Sequence, residues 1–189
     1  MSKPFSDLGI NKHLQQALAH LEISVSTDIQ EKTIPLVLNQ SEDLVVVAKT
    51  GTGKTVAFGV PLLQLIDIQN PNVQVVILAP TRELGQQIHA NLVAYASENP
   101  SISMASVCGG IPIKPQIEQL KTPTHIVVAT PGRLVDLVKR RAINLKQLAS
   151  LVLDEADEMV SALKQDLDLI IKEIPKSRRT LLFTATLSG

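Results

Sequence analysis

The chain has 189 residues, 44% of them hydrophobic, 19% charged and 2% aromatic, and its 18 Lys and Arg balance its 18 Asp and Glu. That length and mixture suit one globular domain with an aliphatic core and exclude a disordered chain, while the zero net charge argues against a strongly electrostatic nucleic-acid binder, so any nucleic-acid contact must be local or shared with a partner surface. The lone cysteine, Cys108, excludes an internal disulfide and a cysteine-based zinc site and suits a reducing, cytoplasmic setting; no apolar leader and no run of about eighteen apolar residues is present, so no membrane span is expected.

In chain order, residues 1–40 read as a mainly helical N-terminal extension packed on the domain that follows. Residues 41–189 then alternate between two patterns. Leu44–Ala48, Val75–Ala79, Ile126–Ala129, Leu151–Leu153 and Leu181–Phe183 are short continuous apolar runs, and Ser103–Val107 is a weaker one. Such runs suit strands buried on both faces of a parallel sheet. Helical patterns fall at 55–68, 82–97, 132–140 and 155–173, the last with an apolar stripe of Val160, Leu163, Leu167, Ile170, Ile171 and Ile174. The alternation predicts right-handed βαβ units in an α/β domain, with a mostly parallel central sheet and helices on both faces.

The segment Ala48-Lys-Thr-Gly-Thr-Gly-Lys-Thr55 follows the first strand. It has the form of a Walker A phosphate loop, with Ala at the first glycine position. Gly51 and Gly53 let backbone N–H groups of Ala48, Thr50, Thr52 and their neighbours converge on phosphate, and the next helix adds its positive end. Lys54 can reach the β- and γ-phosphates, and the Thr55 hydroxyl can bind Mg²⁺.

Asp154-Glu-Ala-Asp157 closes the strand Leu151–Leu153. A strand end aims Asp154 at the ligand-binding edge of an open α/β sheet. Asp154 would hold Mg²⁺, through water, and Glu155 would orient or deprotonate the attacking water, which makes Lys54, Asp154 and Glu155 the catalytic candidates. An acidic first helical turn is the plain alternative for this tetrapeptide standing alone. No guanine-reading Asn-Lys-x-Asp segment and no third glycine of a dinucleotide loop is present, which disfavours a GTPase and a dinucleotide-binding domain.

Over nearly its whole length the chain resembles the N-terminal RecA-like domain of a DEAD-box RNA helicase. Asp154–Asp157 spells the family's name-giving motif, and Ala is usual at the first position of its Walker A. Ala79-Pro-Thr-Arg-Glu-Leu84 resembles motif Ia, with Gly85 where Ala is common; Gly109-Gly110 resembles the glycine doublet, Thr130-Pro-Gly-Arg133 motif Ib, and Thr184-Ala-Thr186 motif III, where Ser is usual first. Phe5 and Thr27-Asp-Ile-Gln30 resemble the Q motif, with Asp28 where Pro is frequent. The resemblance implies that Gln30 reads the adenine edge and Phe5 packs on the ring; a carboxamide and an aromatic are suited to both tasks, although Phe5 by sequence alone is equally a core plug. It implies RNA, single-stranded or duplex, held by its backbone at Pro80, Thr81, Arg82, Gly109, Gly110, Thr130, Pro131, Gly132 and Arg133. Each of these segments can offer hydroxyls, N–H groups or a guanidinium, which position a strand without reading it; helix capping by Thr81 and Thr130, with Pro131 in a first turn, is the plain alternative. Asp157, Thr184 and Thr186 would couple the two sites.

The bland residues are His13, His20, His89 and His125, which show no metal spacing and read as surface or capping residues, and Cys108, a small buried apolar residue. Lys139-Arg140-Arg141 reads as cations complementing a helix end. In the resembled family the arginines that approach the γ-phosphate come from a second RecA-like domain, and no second Walker-like segment occurs here. The chain is therefore expected to be a monomeric nucleotide-binding half that binds ATP and hydrolyses little, of a protein continuing past Gly189. Two alternatives stand beside the RNA helicase: an ATP-gated RNA clamp or assembly platform, and a DNA-directed helicase on the same ATP site.

Overall fold

The computed structural model describes residues 2–186. After a 3₁₀ turn at Phe5–Leu8 come α1 (Lys12–His20), α2 (Asp28–Asn39), β1 (Leu44–Val47), α3 (Lys54–Gln64), β2 (Val75–Leu78), α4 (Arg82–Tyr95) and β3 (Met104–Val107). There follow α5 (Ile113–Gln119), β4 (Ile126–Ala129), α6 (Pro131–Lys139), β5 (Ser150–Asp154), α7 (Ala156–Ala162), α8 (Lys164–Glu173) and β6 (Arg179–Thr184). The strands form one parallel sheet in the order β1-β6-β5-β2-β4-β3.

Alternation along the strands divides the core in two. Val75, Ile77 and Ala79 of the β2 run, with Val46, Val152 and Phe183, pack under α1–α4 in a layer that also takes in Phe5, Leu14 and Ile34. Val76, Leu78, Val127 and Leu151 face the opposite way, onto α6, α7 and α8 through Leu134, Met159 and Ile170. No described helix is long and apolar enough to cross a membrane.

Four sequence expectations are corrected. Burial on both faces holds for β2, β4 and β5, but β1 is an edge strand with Val45 53% and Val47 48% exposed. The helix expected over 155–173 breaks at Leu163, whose φ of −126° and ψ of 22° leave the helical region, and α7 and α8 point different faces inward. Leu167, Ile170 and Ile174 of the stripe are buried, whereas Val160 (56%) and Ile171 (44%) are exposed. The short α5 carries Pro115 and has too little periodicity to be foreseen. His125 is buried, not on the surface; its Nδ1 accepts from the Ser103 N–H at 3.0 Å.

Candidate functional site

The functional segments gather at the carboxyl ends of the strands. β1 runs into the loop Ala48–Gly53, whose Gly51 and Gly53 have φ of 83° and 90°, in the left-handed region that favours glycine. Gly53 stands at the N-cap of α3, and a Cβ there would collide with the Gln30 amide nitrogen. Lys54 and Thr55 open the helix, Lys54 buried and Thr55 half-buried, while Thr50 is exposed. Ala48 is tied to the sheet by donating its N–H to the Thr184 carbonyl at 2.9 Å.

Lys54 Nζ lies 3.4 Å from Asp154 Oδ1, with the two side chains 6% and 4% exposed. That is an ion pair, yet Nζ has no hydrogen-bond partner. A buried ammonium with unused donors is costly, so this one is set to receive an anionic acceptor. Burial pushes the Asp154 carboxyl above its ordinary range, against the pull of Lys54. Glu155 is also raised, by burial first and then by the charges of Glu158 and Asp154. Its backbone is left-handed (φ 56°), a conformation that turns the chain sharply out of β5 into α7. Among the described residues no three His, Cys, Asp or Glu side chains form a metal cluster. The donors present are the hard oxygens of Thr55 and Asp154, a sparse set that suits an ion keeping most of its waters, as Mg²⁺ does. A cleft of about 280 Å³ runs from Lys54, Asp154 and Glu155 along α4 past Gln87 and Asn91, two polar residues without a motif to mark them.

The Q-motif residues brace the phosphate loop. Gln30, 3% exposed, donates to the Gly53 carbonyl at 3.2 Å and accepts from the Thr27 N–H at 3.0 Å, while the Thr27 hydroxyl donates to the Thr52 carbonyl at 3.0 Å. Asp28 opens α2, where its charge favours the helix N-terminus. Phe5 is 4% exposed in the core, so the chain itself covers most of its ring.

Eight of the nine strand-contact candidates, Pro80, Arg82, Gly109, Gly110, Thr130, Pro131, Gly132 and Arg133, line one open groove of about 620 Å³; Thr81 lies outside its lining. Thr81 caps α4, its hydroxyl accepting from the Leu84 N–H at 3.2 Å, and Pro131 is the first residue of α6. Thr130 does not cap with its side chain: its hydroxyl accepts from the Gly109 N–H at 3.0 Å, pinning the glycine doublet. Arg133 turns inward, donating to Gln116 Oε1 at 2.6 Å and to the Ile111 carbonyl at 2.8 Å. Gly85 has a local cause, since a Cβ there would stand 2.7 Å from the Sγ of buried Cys108.

Asp157, Thr184 and Thr186 also meet. The Thr186 hydroxyl donates to Asp157 Oδ2 at 3.0 Å, and the Thr184 hydroxyl to the Thr186 carbonyl at 2.7 Å. Burial raises the Asp157 carboxyl, but hydrogen bonds, that of the Thr186 hydroxyl first and backbone N–H groups with it, hold the group below its ordinary value.

The family model for DEAD/DEAH box helicases matches residues 27–189. The chain belongs to that family. Among DEAD-box relatives, the ATP-dependent RNA helicase CshA of Limosilactobacillus reuteri is 44% identical over 184 residues, 97% of this chain and 37% of the relative. The CshA of Bacillus subtilis is 39% identical over 188 residues, covering 99% and 38%. The chain thus spans well under half the length of these relatives. A DEAD box protein from the hyperthermophile Methanococcus jannaschii superposes with a TM-score of 0.92 at 37% identity, over 100% of this chain and 52% of that one. S. cerevisiae Dbp5 bound to RNA and ADP BeF3 superposes with a TM-score of 0.89 at 27% identity, covering 99% and 47%. The RecA-like α/β fold expected from the resemblance is the fold observed.

Proposed function

We propose that this chain is the ATP-binding N-terminal lobe of an RNA-dependent ATPase that unwinds or remodels RNA duplexes. The observation that carries the reading is Lys54: a buried ammonium at the mouth of a left-handed glycine loop, 3.4 Å from Asp154 and with no hydrogen-bond partner. An anion with hard-cation company is the chemistry such a pair fits.

In this reading the loop after Ala48, whose own N–H is given to the Thr184 carbonyl, binds the triphosphate with its N–H groups and Lys54 holds the β- and γ-oxygens. Thr55 and Asp154 hold Mg²⁺, which when bound neutralises charge on the phosphates. Glu155 orients the attacking water and takes its proton, a task helped by a carboxyl raised above its usual range. Gln30 recognises adenine through whichever donor and acceptor capacity its contacts with Gly53 and Thr27 leave open, with Phe5 behind the site. The groove from Pro80 to Arg133 holds an RNA backbone, and Asp157, Thr184 and Thr186 connect it to the ATP centre. This chain alone binds adenine nucleotide and turns it over little, because the charge that stabilises the transferring phosphoryl group comes from a second lobe. Residues 1–40 form the Q-motif extension of the same lobe.

The test is nucleotide binding and turnover by the chain with Mg²⁺, with and without single-stranded RNA or DNA, beside Glu155→Gln. Adenine-nucleotide binding with negligible turnover is expected. RNA-stimulated turnover abolished by Glu155→Gln would mean the chain completes its own site and needs no second lobe. Stimulation by DNA alone would replace the RNA reading, and absence of adenine-nucleotide binding would overturn the proposal.

A further inference from the structure

No motif points to Gln116, yet its side chain is engaged at both ends. It is 4% exposed; its Oε1 accepts from Arg133 Nη1 at 2.6 Å, and its Nε2 donates to the Cys108 carbonyl at 3.0 Å. The loop it touches is held at every step that follows. The Gly109 N–H is taken by the Thr130 hydroxyl, Arg82 donates to the Gly110 carbonyl at 3.4 Å, and Arg133 donates to the Ile111 carbonyl at 2.8 Å. The Arg133 guanidinium is therefore turned toward the protein, while Arg82 makes a single long contact with the same loop.

We infer that Gln116 is the positioning residue of this groove: it fixes the Gly109–Gly110 loop and holds Arg133 inward, so that the nucleic-acid strand is met by backbone N–H groups and hydroxyls more than by guanidinium charge. The inference rests on the reading of the groove as the RNA face. A carboxamide suits the task. It accepts from a guanidinium and donates to a carbonyl from one planar group, whereas a carboxylate cannot donate, an ammonium cannot accept, and an apolar side chain does neither. Being neutral, it fixes Arg133 without cancelling its charge, in a groove whose lining already carries Glu83, Asp136 and Asp166. A strand held chiefly by neutral donors releases few counterions, so its affinity falls only gently with salt.

The experiment compares the 189-residue chain with Gln116→Met, which keeps the length and volume, and with Gln116→Glu, which keeps the acceptor alone. Amide hydrogen exchange reads the loop, and anisotropy of a labelled oligouridine over a salt series started at low ionic strength reads the groove. In Gln116→Met, the Gly109 amide, the bonded N–H of the loop, loses protection and RNA affinity falls about tenfold. The salt dependence steepens because the released Arg133 now pairs with phosphate, and ADP affinity stays at the wild-type value. Gln116→Glu retains the Arg133 bond, so it loses loop protection without that steepening. If Gln116→Met does not fold, the loop protection and salt slope of Gln116→Glu decide alone. A folded variant with unchanged loop protection and unchanged salt slope overturns the inference, as does a parallel loss of ADP affinity, which marks a general defect. Wild-type chain that binds no oligouridine at the lowest salt, or binds it equally well as Arg82→Ala and Gly110→Ala, overturns the RNA reading of the groove itself.

Discussion

Gln30 donates to the carbonyl of Gly53 at 3.2 Å, in the space that any Cβ on residue 53 would have to occupy. A residue of α2 thus sets the shape of the phosphate loop from behind, and the two positions form one unit.

Gly53→Ala is expected to lower stability by about 1–3 kcal/mol, from left-handed strain and the collision with Gln30, and to weaken ADP binding. Adding Gln30→Ala removes the collision and leaves the strain. The double mutant should therefore be more stable than the sum of the single changes, by a coupling of about 0.5–2 kcal/mol. Thermal melts and ADP titrations measure both; additive losses would show that the two residues do not press on one another.

Thr184 lies in β6, opposite Val47 of β1 and beside the strand that ends in Asp154. Its carbonyl holds Ala48, and its hydroxyl begins the chain through Thr186 to Asp157. Thr184→Ala with Thr186→Ala removes the hydroxyl links and keeps the backbone bond to the phosphate loop. In a protein carrying both lobes, duplex unwinding should fall steeply while ATP turnover is largely kept. Parallel losses of the two activities would sink this coupling route.

Burial holds the His125 imidazole below its ordinary 6.5, against a pull upward from Asp67. Its Nδ1 accepts from the Ser103 N–H, so the folded state needs the neutral ring. The unfolded chain takes up a proton more readily, so the stability this residue contributes is whole above about pH 6.5 and is lost as pH falls from there toward the depressed folded value. His89 is depressed in the same sense, burial being the first cause. Melting temperature should drop between about pH 6.5 and 5, and the drop should be smaller in His125→Asn; an identical pH profile in the variant would rule the residue out as its source.

Arg179 is 9% exposed and donates to the carbonyls of Glu42 at 2.6 Å, Val37 at 2.8 Å and Leu36 at 3.1 Å. It closes the C-terminal end of α2 and the entry to β1 with a single fork. Arg179→Met should cost about 2–4 kcal/mol of unfolding free energy, read by denaturant titration, because the Glu42 and Val37 carbonyls lose their donor and the Leu36 carbonyl keeps only the Gln40 N–H. Arg179→Lys should recover only part, since one ammonium cannot match the fork. A change within about 0.5 kcal/mol would place those carbonyls in contact with water instead.

The strands and the motif order were legible because buried parallel strands are continuous apolar runs and because the phosphate loop has fixed spacing. β1 misled in one respect: Val45 and Val47 look like core, and nothing in a tetrapeptide of aliphatics says that it lies at a sheet edge. Val160 and Ile171 misled because a stripe counted through 155–173 assumes an unbroken helix, and the break at Leu163 depends on how α7 and α8 each meet the sheet. The inward turn of Arg133 was out of reach for a different reason. Its partners, Gln116 and Ile111, are joined to it only by the fold, and α5 carries no periodic signal of its own. Thr130 shows the same limit at one atom: threonine before proline reads as a cap, and only the neighbouring loop decides that its hydroxyl serves Gly109.

β1 pairs with β6 and, among the described residues, with no other strand. The strand that delivers the phosphate loop is made well before its neighbour, with every other strand of the sheet between them in the sequence. Closing that span is entropically demanding, and ln n scaling makes it slower than joining β2 to β4. During translation β2, β3, β4 and β5 can assemble while β1 waits with Val46 uncovered. A nascent chain stalled before residue 179 should therefore hold a folded sheet yet fail to retain nucleotide, and competence for ATP would wait for β6.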